Sequence, residues 1–159
     1  MKKDPLLFVL VIAVGVFSYF AAFKGMVLIW MIPLLVALTA LWYVATSVVT
    51  RKMVERRRKG ETFFFQKGGL ISKDERELVN GALVATESEV IFYKRKGYLG
   101  GIVPIWSAFT STIESYSMEK VDDKHNGIIF TITGDDDKIK VASSQIKKRE
   151  DEFRRSIGW

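Results

Sequence analysis

Residue types able to do chemistry gather in a few stretches of this chain. Asp122 and Asp123 precede the one histidine, His125, in the run Asp122-Asp-Lys-His-Asn-Gly127. A histidine beside carboxylates suits a general base or a metal ligand set. The same run has turn composition, however, and a solvated turn histidine is the expected reading. Asp135, Asp136 and Asp137 add three carboxylates. The apolar run at residues 128–133 separates them from Asp122 by about 20 Å of extended chain, so the two clusters belong at opposite ends of a strand and form no calcium cage. EF-hand spacing is missing. Gly97-Tyr-Leu-Gly-Gly101 lacks the Gly-Lys-Ser/Thr of a phosphate loop and opens no helix. With no cysteine, disulfides, thiolate catalysis and Cys-based metal sites are excluded. Neither paired acids nor an activated nucleophile is in sight, so no enzyme, metal or cofactor is expected.

Cations offer a different chemistry. Lys94, Arg95 and Lys96 precede Tyr98 and Leu99 in a β connection. Basic groups beside an aromatic and a leucine can meet anionic lipid headgroups while the apolar tips enter the interface. An ordinary charged hairpin tip has the same composition. Residues 51–59 hold a second cluster: Arg51, Lys52, Arg56, Arg57, Arg58 and Lys59 against the single acid Glu55. Residues 60–159 hold 15 Lys and Arg against 16 Asp and Glu, a net of −1. The overall +6 and the pI near 9.5 therefore come chiefly from one flank. No basic face survives its subtraction, and nucleic acid is not an expected partner.

The elements that must carry these groups begin with two uncharged apolar runs, residues 6–23 and 26–50, separated by Lys24 and Gly25. As helices they rise roughly 27 and 37 Å, against a hydrocarbon core of about 30 Å. Both are long enough to span. The first exceeds a usual signal-peptide core and lacks a good cleavage site, so it is expected to be retained. Cations flank both outer ends, seven of them over residues 51–67, which directs both termini to the cytoplasmic side. The polar residues Ser18, Thr39, Thr46 and Ser47 are not ionisable, so a transport pathway has no residue to run on. Pro33 either kinks the second helix or marks its first turn. Residues 51–60 read as a basic juxtamembrane linker, a stop-transfer flank that also attracts anionic lipid.

Residues 61–159 read as a mainly-β domain. Residues 62–66 form a first strand with Phe63 and Phe65 on one face, broken at Gly68 and Gly69. Ser72 and Glu75 match a capping box for a short helix to about Val79, closed by Asn80 and Gly81. Strands follow at residues 82–86, 90–93, 102–106, 112–118, 128–133 and 138–141, with a turn over residues 134–137. Over residues 112–118, Ile113, Ser115 and Ser117 are expected on one face. Ser143 or Ser144 caps a closing helix with Ile146, Phe153 and Ile157 on one stripe.

The run from Gly81 to Tyr93, the Gly97-to-Gly101 connection and the β-rich order ending in one helix resemble the bacterial pleckstrin-homology-like domains of the YokE type. Their pattern usually has a basic residue where this chain has Glu89. The resemblance covers residues 61–159 and implies a small barrel of about seven strands closed by a C-terminal helix. Such folds serve lipid binding, peptide binding and assembly. The expected function is a non-enzymatic module at the inner face of the cytoplasmic membrane, presenting its β domain to a protein partner or a second copy. An anionic-lipid sensor using Lys94 to Lys96 and an accessory subunit of a membrane enzyme or transporter are the alternatives.

Overall fold

The computed structural model describes residues 14, 15, 18, 19, 28–71, 77–97 and 100–159, with backbone alone at 28–32, 45 and 135–137. The chain divides into two units after Val44. In the first unit residues 14, 15, 18 and 19 are helical, and helix α1, Leu28–Ser47, begins. The apolar run at residues 6–23 and the turn at Lys24 and Gly25 lie largely outside the described residues. Among the described residues no helix is long and apolar enough to cross a membrane. The backbone of α1 continues for 20 residues, its side chains being described from Pro33 onward. Pro33 lies inside this helix, not at its start. Ser18 donates to the Val14 carbonyl and Thr39 to the Leu35 carbonyl, each at 2.7 Å. Both hydroxyls are thus satisfied one turn back in their own helix, without water.

Three residues, Val48, Val49 and Thr50, join α1 to α2, Arg51–Arg57. Seven strands follow: β1 Phe64–Ile71, β2 Leu78–Ala85, β3 Glu89–Arg95, β4 Ile102–Phe109, β5 Ile113–Ser117, β6 Gly127–Ile132 and β7 Asp135–Ala142. A 3-10 turn at Ile146–Arg149 leads into α3, Glu150–Ile157. The strands form one sheet in the order β4-β3-β2-β1-β7-β6-β5, every described pair antiparallel. A small β domain with a C-terminal helix is therefore present. The closed barrel is not, because β4 and β5 are the two edges of the sheet. The chain steps between them through the 3-10 turn Thr110–Thr112. Pro104 has no N–H to give a neighbour, and the register shifts where Phe92 pairs with Trp106 and Tyr93 with Pro104. Side chains partly bridge the gap: Trp106 of β4 stacks on Phe130 of β6 with centroids 5.6 Å apart.

Strands β1 to β3 bury both faces, which is why residues 82–85 and 90–93 are apolar without alternation. One face carries Phe64, Leu83, Ala85, Val90 and Phe92, packed with Ile113, Ile128, Phe130 and Val141 and covered by Ile146, Phe153 and Ile157. The expected stripe of the closing helix is this cover. The other face carries Phe63, Phe65, Ala82, Val84, Ile91, Tyr93 and Ile102, covered by Val49 and Val54. Residues 51–57, inside the stretch read as a linker, are thus an amphipathic helix seated on the sheet.

Several local expectations change. Residues 78–80 belong to β2, where Leu78 pairs with Ile71 and Asn80 with Gly69, so the short helix does not continue to Val79. Its proposed cap, Ser72 to Glu75, lies outside the described residues. Gly68 and Gly69 sit within β1 and do not break it; a Cβ on Gly68 would collide with the Ala142 carbonyl of β7, so the small residue lets the strands approach. In β5 an extra residue at Glu114 shifts the register, and Ile113, Tyr116 and Met118 all reach the core despite their spacing. Residues 135–137 open β7, leaving Thr133 and Gly134 as the reversal. Neither Ser143 nor Ser144 caps the closing helix: Ser143 is buried and accepts a hydrogen bond from Gln66 Nε2 at 2.9 Å.

Gly81 is pressed between β2 and β3, where a Cβ would meet the Tyr93 carbonyl and the Phe92 ring. Gly81→Ala is expected to cost about 1–3 kcal/mol of stability, the usual cost of overpacking. Gly101→Ala, where a Cβ meets nothing within 4 Å, should change it far less. Denaturant unfolding of the full chain in detergent, followed by tryptophan fluorescence, checks the ranking; equal midpoints for the two variants would contradict the packing described.

Candidate functional site

The cationic residues singled out from sequence separate into those the fold consumes and those it exposes. Within α2, Met53 and Val54 interrupt the basic run, and Val54 is completely buried. That places Arg57 and Arg58 against the sheet. Arg57 donates Nη1 to the Ile102 carbonyl at 2.7 Å, and its guanidinium lies 5.8 Å from the centre of the Tyr93 ring. Arg58, 11% exposed, reaches Glu61 at 2.6 Å, the Tyr93 hydroxyl at 3.2 Å, and the Glu89 carboxylate. Burial is the largest single influence on its pKa and works against the charged form. Hydrogen bonds to Glu89, Tyr93 and Glu61 together outweigh it and raise the pKa above the ordinary arginine value. The acidic Glu89 that departs from the resembling pattern is thus the partner of Arg58, the residue directly after α2. Arg51 pairs with Glu55 at 3.2 Å and lies over the Phe63 ring at 5.5 Å. Lys52, Arg56 and Lys59 remain exposed.

At the far end of β3, Lys94 and Lys96 are exposed and Arg95 is half-buried. Lys96 N–H donates to the Gly101 carbonyl at 2.9 Å and closes the connection; Tyr98 and Leu99 lie outside the described residues. Arg95 Nη1 donates at 3.3 Å to the carbonyl of Val48, directly after α1. This contact brings Arg95, one of the expected headgroup cations, beside the residues that leave α1. Thr46 and Ser47 of α1, residues 77–80 of β2 and its approach, and Lys94 and Arg95 of β3 line a cleft of about 370 Å³. Sequence spacing gave no sign of this cleft, because its walls come from three separate segments, residues 46–47, 77–80 and 94–95.

No family model matches this chain, and no curated protein does. Its site is therefore described by its own geometry.

The turn around His125 is a local structure. Asp122 Oδ1 accepts from the backbone N–H of Lys124 and of His125 at 2.7 and 2.6 Å, and Asp122 Oδ2 lies 2.7 Å from His125 Nδ1. The hydrogen bond with His125 and the two backbone donors hold the Asp122 carboxyl below its ordinary value. Among the described residues no group of three His, Cys, Asp or Glu is placed to hold a metal.

A second polar cluster escaped sequence reading altogether. Gln66, 6% exposed, donates Nε2 to Ser143 and accepts from Arg149 Nη1 at 3.0 Å. Arg149 also donates to the Phe65 carbonyl at 2.7 Å and grips both Glu152 oxygens at 2.8 and 2.7 Å. It thereby ties β1 to the start of α3. This bidentate pair is the main reason that the Glu152 carboxyl lies below its ordinary 4.5.

Two outcomes follow from these placements. Arg58→Ala removes hydrogen bonds to charged groups and is expected to cost about 1.5–3 kcal/mol, while exposed Arg56→Ala stays within about 0.5 kcal/mol. Chemical unfolding of each full-length variant measures the difference, and equal losses would refute the assignment of Arg58 to the fold. Because the folded pKa of Glu152 is depressed, its contribution is present above pH 4.5 and is lost as pH falls below that value. The stability gap between the parent and Glu152→Gln should therefore be full at neutral pH and shrink under acid. A gap unchanged under acid would contradict the Arg149 pairing.

Proposed function

We propose that this chain is a non-enzymatic, pleckstrin-homology-like module anchored in the cytoplasmic membrane, holding its β domain at the inner face for protein interaction or assembly. The observation that carries the reading is the continuity between an uncharged helix and the sheet. Only Val48, Val49 and Thr50 separate α1 from α2, and Val49 and Val54 are both sealed against the sheet. The segment that follows α1 is therefore part of the folded β domain. Leu34, Leu35, Val36, Leu41 and Val44 are exposed on a helix that carries no charge. A helix apolar on all sides suits lipid better than water. The back-bonded hydroxyls of Ser18 and Thr39 suit it as well. The run at residues 6–23 supplies the partner span, and the flanking cations direct both termini inward. The seven-strand order with its closing helix supports the pleckstrin-homology-like reading.

Ile105 and Phe109, 41% and 66% exposed on the edge strand β4, support a protein contact. A second reading, lipid contact by the domain, is favoured by Lys94 and Arg95 lying beside the exit from α1.

Alkaline extraction of membranes, with reporters at each terminus, tests the anchor. The chain is expected to stay with the lipid and both reporters to signal from the cytoplasm; release by alkali, or an external signal at Trp159, would overturn it. Detergent-solubilised protein is expected to self-associate or to retain a defined partner, and a strict monomer without partners would remove the interaction role.

A further inference from the structure

Among the described residues the sheet has two edges, and they are guarded unequally. β5 is five residues long, carries Glu114 and holds a bulge, devices that discourage pairing by another strand. β4, Ile-Val-Pro-Ile-Trp-Ser-Ala-Phe, carries no charge, and its proline and register shift lie toward its start. The two ends of β4 are occupied. Arg57 Nη1 donates to the Ile102 carbonyl at 2.7 Å and Pro104 has no N–H, while Thr112 Oγ1 donates to the Phe109 carbonyl at 2.8 Å. Residues 105–109 form the open window between them. The Thr110 N–H donates to the Ser88 carbonyl at 2.9 Å, next to the pairs Phe109–Glu89 and Ser107–Ile91. By antiparallel alternation those two pairs exchange no bonds, so the backbone groups of Ser107 and Phe109 point away from β3. Ser107 is exposed, and Ile105 and Phe109 are 41% and 66% exposed on either side of it.

We infer that β4 pairs with β4 of a second copy of this chain, antiparallel about a two-fold axis at Ser107. This names the partner for the interaction role proposed above and rests on that reading. The occupied ends set the axis, because Ser107 is the middle of the open window. At that register the two Ser107 residues exchange N–H···O=C bonds. Ile105 stands opposite the partner's Phe109, and Trp106, the largest side chain of the window, opposite the partner's Ala108, the smallest. Apolar residues therefore meet apolar ones across the axis, and no charge meets a like charge. A foreign strand would find the same backbone groups, but the match of Ile105 with Phe109 and of Trp106 with Ala108 is internal to this sequence.

The chain has no cysteine, so single introduced cysteines report the register in the full chain in detergent. Directly opposed hydrogen-bonded residues have Cα atoms about 5.5 Å apart, within the roughly 4.4–6.8 Å that a disulfide spans. Under mild oxidant Ser107→Cys is expected to form the linked dimer about tenfold faster than Ser115→Cys on β5, because pairing holds its two thiols at a high effective concentration. Ile105→Cys and Phe109→Cys, each about 14 Å along the strand from its own counterpart, should link when the two variants are mixed and not when either is alone. Ser107→Lys sets like charges opposite one another; it should shift the dimer to monomer in sedimentation while the unfolding midpoint stays that of the parent. Equal linking by Ser107→Cys and Ser115→Cys, linking by Ile105→Cys alone as fast as by the mixture, or a dimer untouched by Ser107→Lys overturns the pairing. Self-association or a retained partner without the Ser107→Cys link overturns this inference and leaves the interaction role standing. A chain released by alkali that still forms the link loses the anchor and keeps the pairing.

Discussion

Strands β1 to β3 place large apolar side chains on both of their faces, and a sheet of that kind is stable in water only when each face is covered. The two covers come from opposite ends of the second unit. Ile146, Phe153 and Ile157 close one face from the C-terminus, while Val49 and Val54 close the other from the segment that follows α1. Phe153 alone meets Phe64, Tyr116 and Phe130 at centroid distances of 5.4, 5.2 and 6.0 Å. Removing either cover would expose a contiguous apolar surface. The segment after α1 is thus part of the domain's core.

Electrostatics follows from that packing. Once Val54 is buried, Arg57 and Arg58 are drawn to the Tyr93 ring, the Ile102 carbonyl and Glu89. A half-buried cation such as Arg58 is stabilised by hydrogen bonds that outweigh the opposing desolvation. Arg149 plays the matching part on the other face, where it joins Phe65, Gln66 and Glu152. The exposed cations Lys52, Arg56, Lys59, Lys94 and Lys96 are left to meet whatever lies outside.

Strong periodicity was readable in the sequence and register was not. The runs at residues 82–86, 90–93 and 128–133 announced strands because apolar residues crowd them, and Ile146, Phe153 and Ile157 announced a covered helix face. The bulge at Glu114 was hidden, since one inserted residue leaves composition untouched while inverting the faces on either side. Ser72 and Glu75 resembled a helix start and lie outside the described residues, while Leu78 and Val79, read as the end of that helix, pair with Ile71 and Leu70. At the cleft, Lys94 and Arg95 were visible as cations; Glu77, Thr46 and Ser47 were not, because their proximity is created by tertiary packing. Arg51 to Lys59 looked uniform in sequence, and only the Met53-Val54 pair hinted that one side of it is buried.

The central claim is that α2 belongs to the folded sheet. Hydrogen exchange on the full chain in detergent tests it most directly, read at the Arg58 amide, which donates to the Val54 carbonyl at 2.8 Å. The account predicts protection there that is lost only together with that of β1, as one cooperative unit. Exchange of α2 at the rate of an unstructured chain, while β1 stays protected, would contradict it.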